Sequence, residues 1–293
     1  MCLQGSLTNK FGENMKLIDG KTLAKNIREG LRIKIANEGK EIGLAVVIVG
    51  EDAASQIYVR NKIKACEELG IRSYSYALPT ETSQTDLERL LDELGKDDRV
   101  HGILLQMPLP KHLDGESAME HIPVSKDVDG FSAENLGRLF LKRDCMVSCT
   151  PQGVMEMFKS EKISLSGKKA VVVGRSDTVG KPMAALLLNA DATVTICHSK
   201  TENLKEICAS ADILIAAVGK AKFVKADMVK EGAVVIDVGM NRDENGKLCG
   251  DVDFENVKEK TSFITPVPGG VGPMTIAMLM RNTYLSAQKE RKD

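Results

Sequence analysis

The chain has no dominant charge. Its 40 Lys and Arg residues against 41 Asp and Glu leave a formal net charge of -1 over 293 residues. That removes the electrostatic case for nucleic acid or an anionic membrane surface as a partner. There is no apolar run near the roughly 20 residues that a bilayer-spanning helix needs. Residues 1–14 lack the long apolar core of a signal peptide. They read as a polar extension, with Met15 as the start of the folded part. No CxxC pair occurs among the seven cysteines, Cys2, Cys66, Cys145, Cys149, Cys197, Cys208 and Cys249. An odd number at wide spacing argues against a disulfide framework or a zinc knuckle, and reduced thiols fit a cytoplasmic protein. Cys66, Cys197 and Cys208 lie in apolar patterns and read as small core residues. The four histidines, His101, His112, His121 and His198, are scattered without metal-ligand spacing, so no metal site is expected. There is no internal repeat and no low-complexity segment.

What is present is an ordinary globular composition, 28% charged and 43% hydrophobic, with length enough for two domains. Strand and helix patterns alternate. Leu23, Ile27, Leu31 and Ile35 recur every four residues and predict a helix. Residues 44–49 form a short apolar run between glycines, as a strand buried on both faces does. A helix follows over about 54–69, then an extended stretch at 71–78. Next comes an amphipathic helix carrying Leu87, Leu90, Leu91 and Leu94, with Thr85 and Glu88 spaced as a capping box. A strand at 102–107 ends in a proline-rich turn. Thr150 and Pro151 read as the N-cap and first turn of a new helix. After it, 170–173, 192–197, 213–218 and 233–238 are strand-like, and 262–265 adds a fifth. A last helix runs from about 273. Strand–helix–strand units imply parallel sheets covered by helices, hence an α/β protein of two domains divided near residue 150.

The strand at 170–173 runs straight into Gly174-Arg175-Ser176-Asp177-Thr178-Val179-Gly180 and then a helical pattern. This is where a Rossmann-type domain places its pyrophosphate turn, with free N–H groups at the helix start to hold phosphate. Ser176 stands where the second glycine of GxGxxG would be, and a glycine-rich turn without ligand also fits the bare pattern. The end of the next strand is more informative. An NAD-binding domain carries Asp or Glu there for the ribose 2′-OH. This chain has His198-Ser199-Lys200 instead. Ser199 and Lys200, with Arg175, suit a 2′-phosphate, so NADP is the expected cofactor. A solvated lysine and a helix-capping serine are the plainer reading of the same residues.

In the amino-terminal half, Tyr58 and Lys62 are four apart and share a helix face, where each can perturb the other's proton affinity. An exposed pair at this spacing is also common. Gln106 closes the strand at 102–107, at the end where α/β folds bind ligands. Lys126-Asp127-Val128-Asp129-Gly130-Phe131 is a loop with two carboxylates, too few oxygens for a good cation site.

Taken together, the segments SQIYVRNK, VHGILLQMPLP, KDVDGF, GRSDTVGKP, CHSKT and TPVPGGVGPMT resemble the bifunctional methylenetetrahydrofolate dehydrogenase/methenyltetrahydrofolate cyclohydrolase family, the FolD type. The resemblance spans 15 to about 288. It implies a folate-binding catalytic domain over 15–149 plus about 273–288, and a Rossmann-type NADP-binding domain over 150–272. The carboxyl-terminal helix would return to the first domain. It implies oxidation of 5,10-methylenetetrahydrofolate with NADP, then hydrolysis of the methenyl product to 10-formyltetrahydrofolate. Lys62 would be the catalytic lysine, Gln106 its orienting partner, and Tyr58 a ring against the folate. Asp129 would hold the pterin and Ser55 lie beside the pair, with Pro268 and Gly269 contacting substrate. Gly174, Arg175, Ser176, Ser199 and Met240 would contact NADP. Members are usually homodimers paired through the nucleotide-binding domains. Hydrolysis needs a proton acceptor and later a donor, and a lysine serves as both if it can release a proton near neutrality. A monofunctional dehydrogenase of the same family and another two-domain NADP-dependent dehydrogenase are the alternatives. The second leaves the PVPGGVGPMT string without a role. A non-catalytic NADP-binding protein would leave Tyr58, Lys62, Gln106 and Asp129 without a common purpose.

Overall fold

The structure, a computed structural model, describes residues 15–289; the polar extension expected at 1–14 lies outside the described residues. Along the chain the elements are β1 (Lys16–Leu17), α1 (Gly20–Glu38), β2 (Gly43–Val49), α2 (Ala53–Leu69), β3 (Arg72–Leu78), α3 (Gln84–Lys96), β4 (Gly102–Leu105), α4 (Gly115–Glu120), α5 (Ala133–Phe140) and α6 (Cys149–Ser160). They continue with β5 (Lys169–Val173), α7 (Gly180–Asn189), β6 (Thr193–Cys197), α8 (Leu204–Ala209), β7 (Ile213–Ala216), β8 (Ala233–Asp237), β9 (Asn241–Arg242), β10 (Leu248–Cys249), α9 (Phe254–Val257), β11 (Thr261–Ile264) and α10 (Val271–Lys289). The chain divides into two compact units. One comprises Lys25–Cys149 with the residues from Ile276 onward, the other the residues up to Ala24 with Thr150–Thr275.

The first unit is organised by β2, whose sequence Gly-Leu-Ala-Val-Val-Ile-Val is buried at every position. Such a run has no face suited to water, so it needs a strand on each edge and cover on both sides. β3 and β4 pair with it in parallel, giving the order β3-β2-β4. Leu87, Leu91 and Leu94 of α3 pack into the same core as Ala45, Val47 and Ile103. The cap of α3 is Ser83, not Thr85: its Oγ accepts from the Asp86 N–H at 3.1 Å and its hydroxyl donates to Asp86 Oδ2 at 2.7 Å. The expected box therefore sits two residues early, because Ser83 is where the backbone turns from extended to helical. From Ile276, α10 belongs to this unit. Asn282 Nδ2 donates to the Val128 and Val147 carbonyls at 2.9 and 3.0 Å, and Ser286 Oγ to the Ser125 carbonyl at 2.7 Å. The expected return of the last helix is present. It starts at Val271, with Pro273 in its first turn, where no N–H partner is lost.

The second unit holds a six-stranded, wholly parallel sheet in the order β1-β11-β8-β7-β5-β6. Here the partition read from the sequence needs correction. β1 pairs with β11, so residues 16–17 sit in this sheet and not with the first domain. Two residues carry no periodicity, and only the ladder reveals them. α6 begins at Cys149, so Thr150 lies in its first turn; its Oγ1 meets Thr275 Oγ1 at 2.9 Å. The antiparallel β9–β10 pair is a further addition. β5 pairs with β6 on one side and β7 on the other. The strand order reverses there, and open α/β sheets bind ligands outside the carboxyl ends at such a point.

At the carboxyl end of β8, Asp237 is buried and ties three segments together. Its backbone N–H donates to Thr265 Oγ1 at 2.7 Å. Its carboxylate accepts from the N–H groups of Gly239, Asp251 and Val252, each at 2.9 Å. Burial pushes this carboxyl up to about 7 from the ordinary 3.8, against the pull of those N–H groups and with a further push from Asp251. An acid raised on folding binds a proton that the unfolded chain has released, so stability falls as pH rises from 3.8 to about 7 and then levels off. Asp237→Asn is expected to be less stable, because its amide meets one of the three donors, and to flatten that decline. Melting temperatures of both proteins across this window check it; parallel slopes would refute the assignment.

Candidate active site

Two half-buried side chains of the first unit meet. Lys62, on α2, donates from Nζ to Gln106 Oε1 at 3.0 Å. Gln106 follows β4 and is anchored at both ends. Its backbone N–H donates to the Val47 carbonyl at 2.8 Å, and its Nε2 to the Met107 carbonyl at 2.6 Å. Because the amide nitrogen is engaged by a carbonyl, the amide oxygen is the end presented to the lysine, which can only donate. α2 is started by Asp52, whose Oδ1 accepts from the N–H of buried Ser55 at 2.7 Å. Tyr58 lies one turn before Lys62, 38% exposed, and partial burial pushes its phenol above the ordinary value.

Asp129 is buried. Burial pushes its carboxyl up and the Lys62 ammonium pulls it back, so the two charges sense each other. Asp127 pushes in the same direction as burial, while the nearby Cys149 thiol, whose Sγ donates to the Val128 carbonyl at 3.4 Å, pulls it back. Burial and then Asp129 push that thiol well above its usual range, so it stays neutral and available as a donor. The two aspartates of the loop have different jobs. Asp127 Oδ1 accepts from Gly130 N–H at 3.0 Å and Phe131 N–H at 3.2 Å, and Oδ2 from Ser132 N–H at 2.8 Å and Asn135 Nδ2 at 2.9 Å. Both oxygens are filled by the loop itself, so Asp127 shapes the segment that carries Asp129. The next residue, Gly130, has φ +68, and a Cβ there would sit 2.6 Å from Ser148 N.

In the second unit, β5 leads into the glycine turn. Gly174 has φ +130, and a Cβ would lie 2.1 Å from the Ala217 carbonyl oxygen; at Gly180 it would lie 2.4 Å from the Gly174 oxygen. Strand, turn and helix can approach this closely only without side chains. One expectation needs correction. The first N–H groups of α7 are not free: Ser176 Oγ accepts from Val179 and Gly180 N–H at 3.2 and 3.3 Å, and the Ser176 carbonyl from Lys181 N–H at 3.0 Å. Ser176, standing in place of a glycine, thus engages the N–H groups at the start of the helix with its own hydroxyl oxygen. Arg175, Ser199, Lys200 and Met240 are exposed. His198 lies between Cys197 and Ser199, with Lys200 N–H donating to its Nδ1 at 3.2 Å. Pro268 is exposed, and the Gly269 carbonyl accepts from Lys21 N–H at 3.0 Å.

A glycine-lined turn at the switch of a parallel sheet in one unit, and a lysine held by a glutamine beside a buried aspartate in the other, match the two modules of one family. Its catalytic-domain model covers residues 18–129 and its NAD(P)-binding-domain model 148–291. The chain belongs to the tetrahydrofolate dehydrogenase/cyclohydrolase family. It is 57% identical to the bifunctional protein FolD of Campylobacter concisus, over 94% of this chain and 98% of that one. The crystal structure of bifunctional FolD methylenetetrahydrofolate dehydrogenase/cyclohydrolase from Campylobacter jejuni matches with TM-score 0.92 and 51% identity, over 94% of this chain and 99% of that one. The dehydrogenase-cyclohydrolase of Trypanosoma brucei, solved with NADP and an inhibitor, matches with TM-score 0.91 and 38% identity, covering 95% and 99%.

In this member of the tetrahydrofolate dehydrogenase/cyclohydrolase family the structure brings Lys62 to Gln106 and within reach of the Asp129 charge, and three residues that carried no sequence expectation brace their surroundings. Asn135 holds Asp127 and accepts from Met146 N–H at 3.0 Å. Cys149 donates from Sγ to the Val128 carbonyl at 3.4 Å. Asn282 fixes the carbonyl just before Asp129. An Asn in the apolar stretch 276–282 was the available signal, since a buried amide needs partners. Asp127→Ala strands four donors, and should lower unfolding stability by about 2–4 kcal/mol, read as a lower denaturant midpoint. An unchanged midpoint would show that the loop is held by other contacts.

Proposed function

We propose that this chain oxidises 5,10-methylenetetrahydrofolate to the 5,10-methenyl form with NADP and then hydrolyses that product to 10-formyltetrahydrofolate. Near-full-length likeness to bifunctional relatives carries the reading, and the Lys62–Gln106 bond beside Asp129 supports it chemically. The cofactor is NADP. The close-packed Gly174 turn fits a pyrophosphate, and the exposed Arg175, Ser199 and Lys200, with no carboxylate after β6, fit a 2′-phosphate. When bound, NADP accepts the hydride.

The residues of the chain act on the folate. Asp129 takes two N–H groups of the pterin on its two oxygens. Tyr58 lies against the ring system, and Ser55 completes the contacts from this unit. Hydride departure leaves a cation at the bridging carbon, which then adds water. Lys62 Nζ takes a proton from that water as the carbon–oxygen bond forms. It returns that proton to the nitrogen that leaves as one carbon–nitrogen bond breaks, and the remaining hydroxyl proton passes to solvent as the formyl carbonyl forms. Gln106 fixes Nζ without adding a charge. A glutamate in its place would hold the lysine protonated. Gly174, Arg175, Ser176, Ser199 and Met240 bind the nucleotide. No helix among the described residues is long and apolar enough to cross a membrane, and the six described cysteines are free thiols, which supports work in the cytoplasm.

We assign the homodimer contact to the second unit. β6 is the outer strand of its sheet, and Ile196 on β6 and Leu188 on α7 are exposed at 38% and 50%. An open strand edge with apolar neighbours is a surface that a second copy covers. Ile196→Asp should shift the wild-type dimer to monomer in sedimentation; a monomeric wild type, or a variant that stays dimeric, refutes the assignment.

A spectrophotometric assay with methylenetetrahydrofolate tests the activity, run with NADP and with NAD. NADPH formation without build-up of methenyl absorbance is the expected result. Persistent methenyl absorbance would mean a dehydrogenase alone. Lys62→Met should abolish hydrolysis, a loss of at least about 100-fold, while damaging hydride transfer less. Equal small losses in both would mean that Lys62 is not the proton carrier.

A further inference from the structure

The strongest feature outside the residues already assigned is the carboxylate of Asp251, after β10. It is fully buried. Oδ2 accepts from the backbone N–H groups of Val218 at 2.6 Å and Gly219 at 3.0 Å. Oδ1 accepts from Lys220 N–H at 2.9 Å and from Asn241 Nδ2 at 2.8 Å. Three consecutive N–H groups converging on one point form a concavity of the kind that binds anions. Here the protein fills it with its own carboxylate.

The segments it gathers all lie at the carboxyl edge of the sheet. Residues 218–220 follow β7, and the chain just before them presses on the glycine turn, since a Cβ on Gly174 would lie 2.1 Å from the Ala217 oxygen. Asn241 is the residue after Met240. Gly239, on the other side of Met240, has no room for a side chain because a Cβ would lie 2.3 Å from the Asp251 carboxyl carbon. Met240 itself reaches the glycine-rich segment before α10, its Cε 3.2 Å from where a Cβ on Gly272 would be. One carboxylate thus sets the backbone on both sides of the position assigned to the cofactor.

We propose that Asp251 is a positioning residue of the nicotinamide-nucleotide site: it holds residues 218–220 and Asn241 in the shape that accepts NADP, without touching the cofactor. The inference rests on the NADP reading above. It predicts a division between the two activities. Hydrolysis of the methenyl compound takes place at Lys62, Gln106 and Asp129 in the other unit and needs no nucleotide, so it is the activity that a change confined to the nucleotide site leaves in place.

Asp251→Asn keeps the size but turns an N–H group toward donors that now lack an acceptor. Three quantities are measured. They are NADPH affinity by fluorescence titration, KM for NADP with kcat of the dehydrogenase, and hydrolysis of methenyltetrahydrofolate without nucleotide. The NADPH dissociation constant and KM should rise at least about tenfold, with hydrolysis within about twofold of wild type. Asn241→Ala, which leaves the three backbone bonds in place, should shift the NADPH constant in the same direction by less, and it decides the matter if Asp251→Asn does not fold. Wild-type NADPH affinity in either folded variant overturns the proposal. Equal loss of both activities with unchanged NADPH affinity overturns it too, leaving Asp251 a purely stabilising role. A wild-type protein that binds no NADPH would instead overturn the cofactor reading itself.

Discussion

Buried carboxylates saturated by backbone N–H groups are what the binding edges of this protein depend on. A buried charge is costly unless several donors surround it, and loop N–H groups are costly unless something accepts from them. Asp127 and Asp251 meet both needs at once, each with four donors. Asp237 adds three more and links β8 to the segment that carries Asp251. These loops have no ladder to hold them. The carboxylates supply the missing partners, and removing one leaves donors stranded in an apolar surrounding.

The same logic separates neighbours that look alike in sequence. Asp127 and Asp129 are two residues apart, yet one has every acceptor site occupied by its own loop and the other sits with Lys62 and a neutral thiol. Structure and chemistry are thereby divided between two identical side chains. Gln106 shows a related economy: its nitrogen is tied to a carbonyl, so its oxygen is turned to the lysine without a second negative charge. Ser176 does for α7 what a glycine-rich turn leaves to the ligand, since it caps the first N–H groups itself.

Much of this was legible from residue order. Apolar runs such as 43–49 announce buried parallel strands, and helix periodicity announces their cover. The Tyr58–Lys62 spacing, Gln106 at a strand end and the missing carboxylate after β6 pointed to the chemistry. The failures have specific causes. β1 is too short to show a period, and its place in the second sheet exists only as a ladder to β11. The cap of α3 moved because several polar residues compete at 82–86 and backbone geometry chose Ser83. The hairpin β9–β10 has only two residues a side.

The sequence alone determined which segments must be buried, which turns need glycine and which side chains are able to transfer protons or bind phosphate, because those properties belong to single residues and their spacing. Tertiary structure alone decided which carboxylate is saturated by its neighbours and which sits beside Lys62, and which amide atom faces Lys62. It also decided that Asn282, more than 150 positions from Val128 along the chain, braces the loop that carries Asp129. Those outcomes depend on donors and acceptors brought together from distant parts of the chain, and no local pattern records which of them will meet.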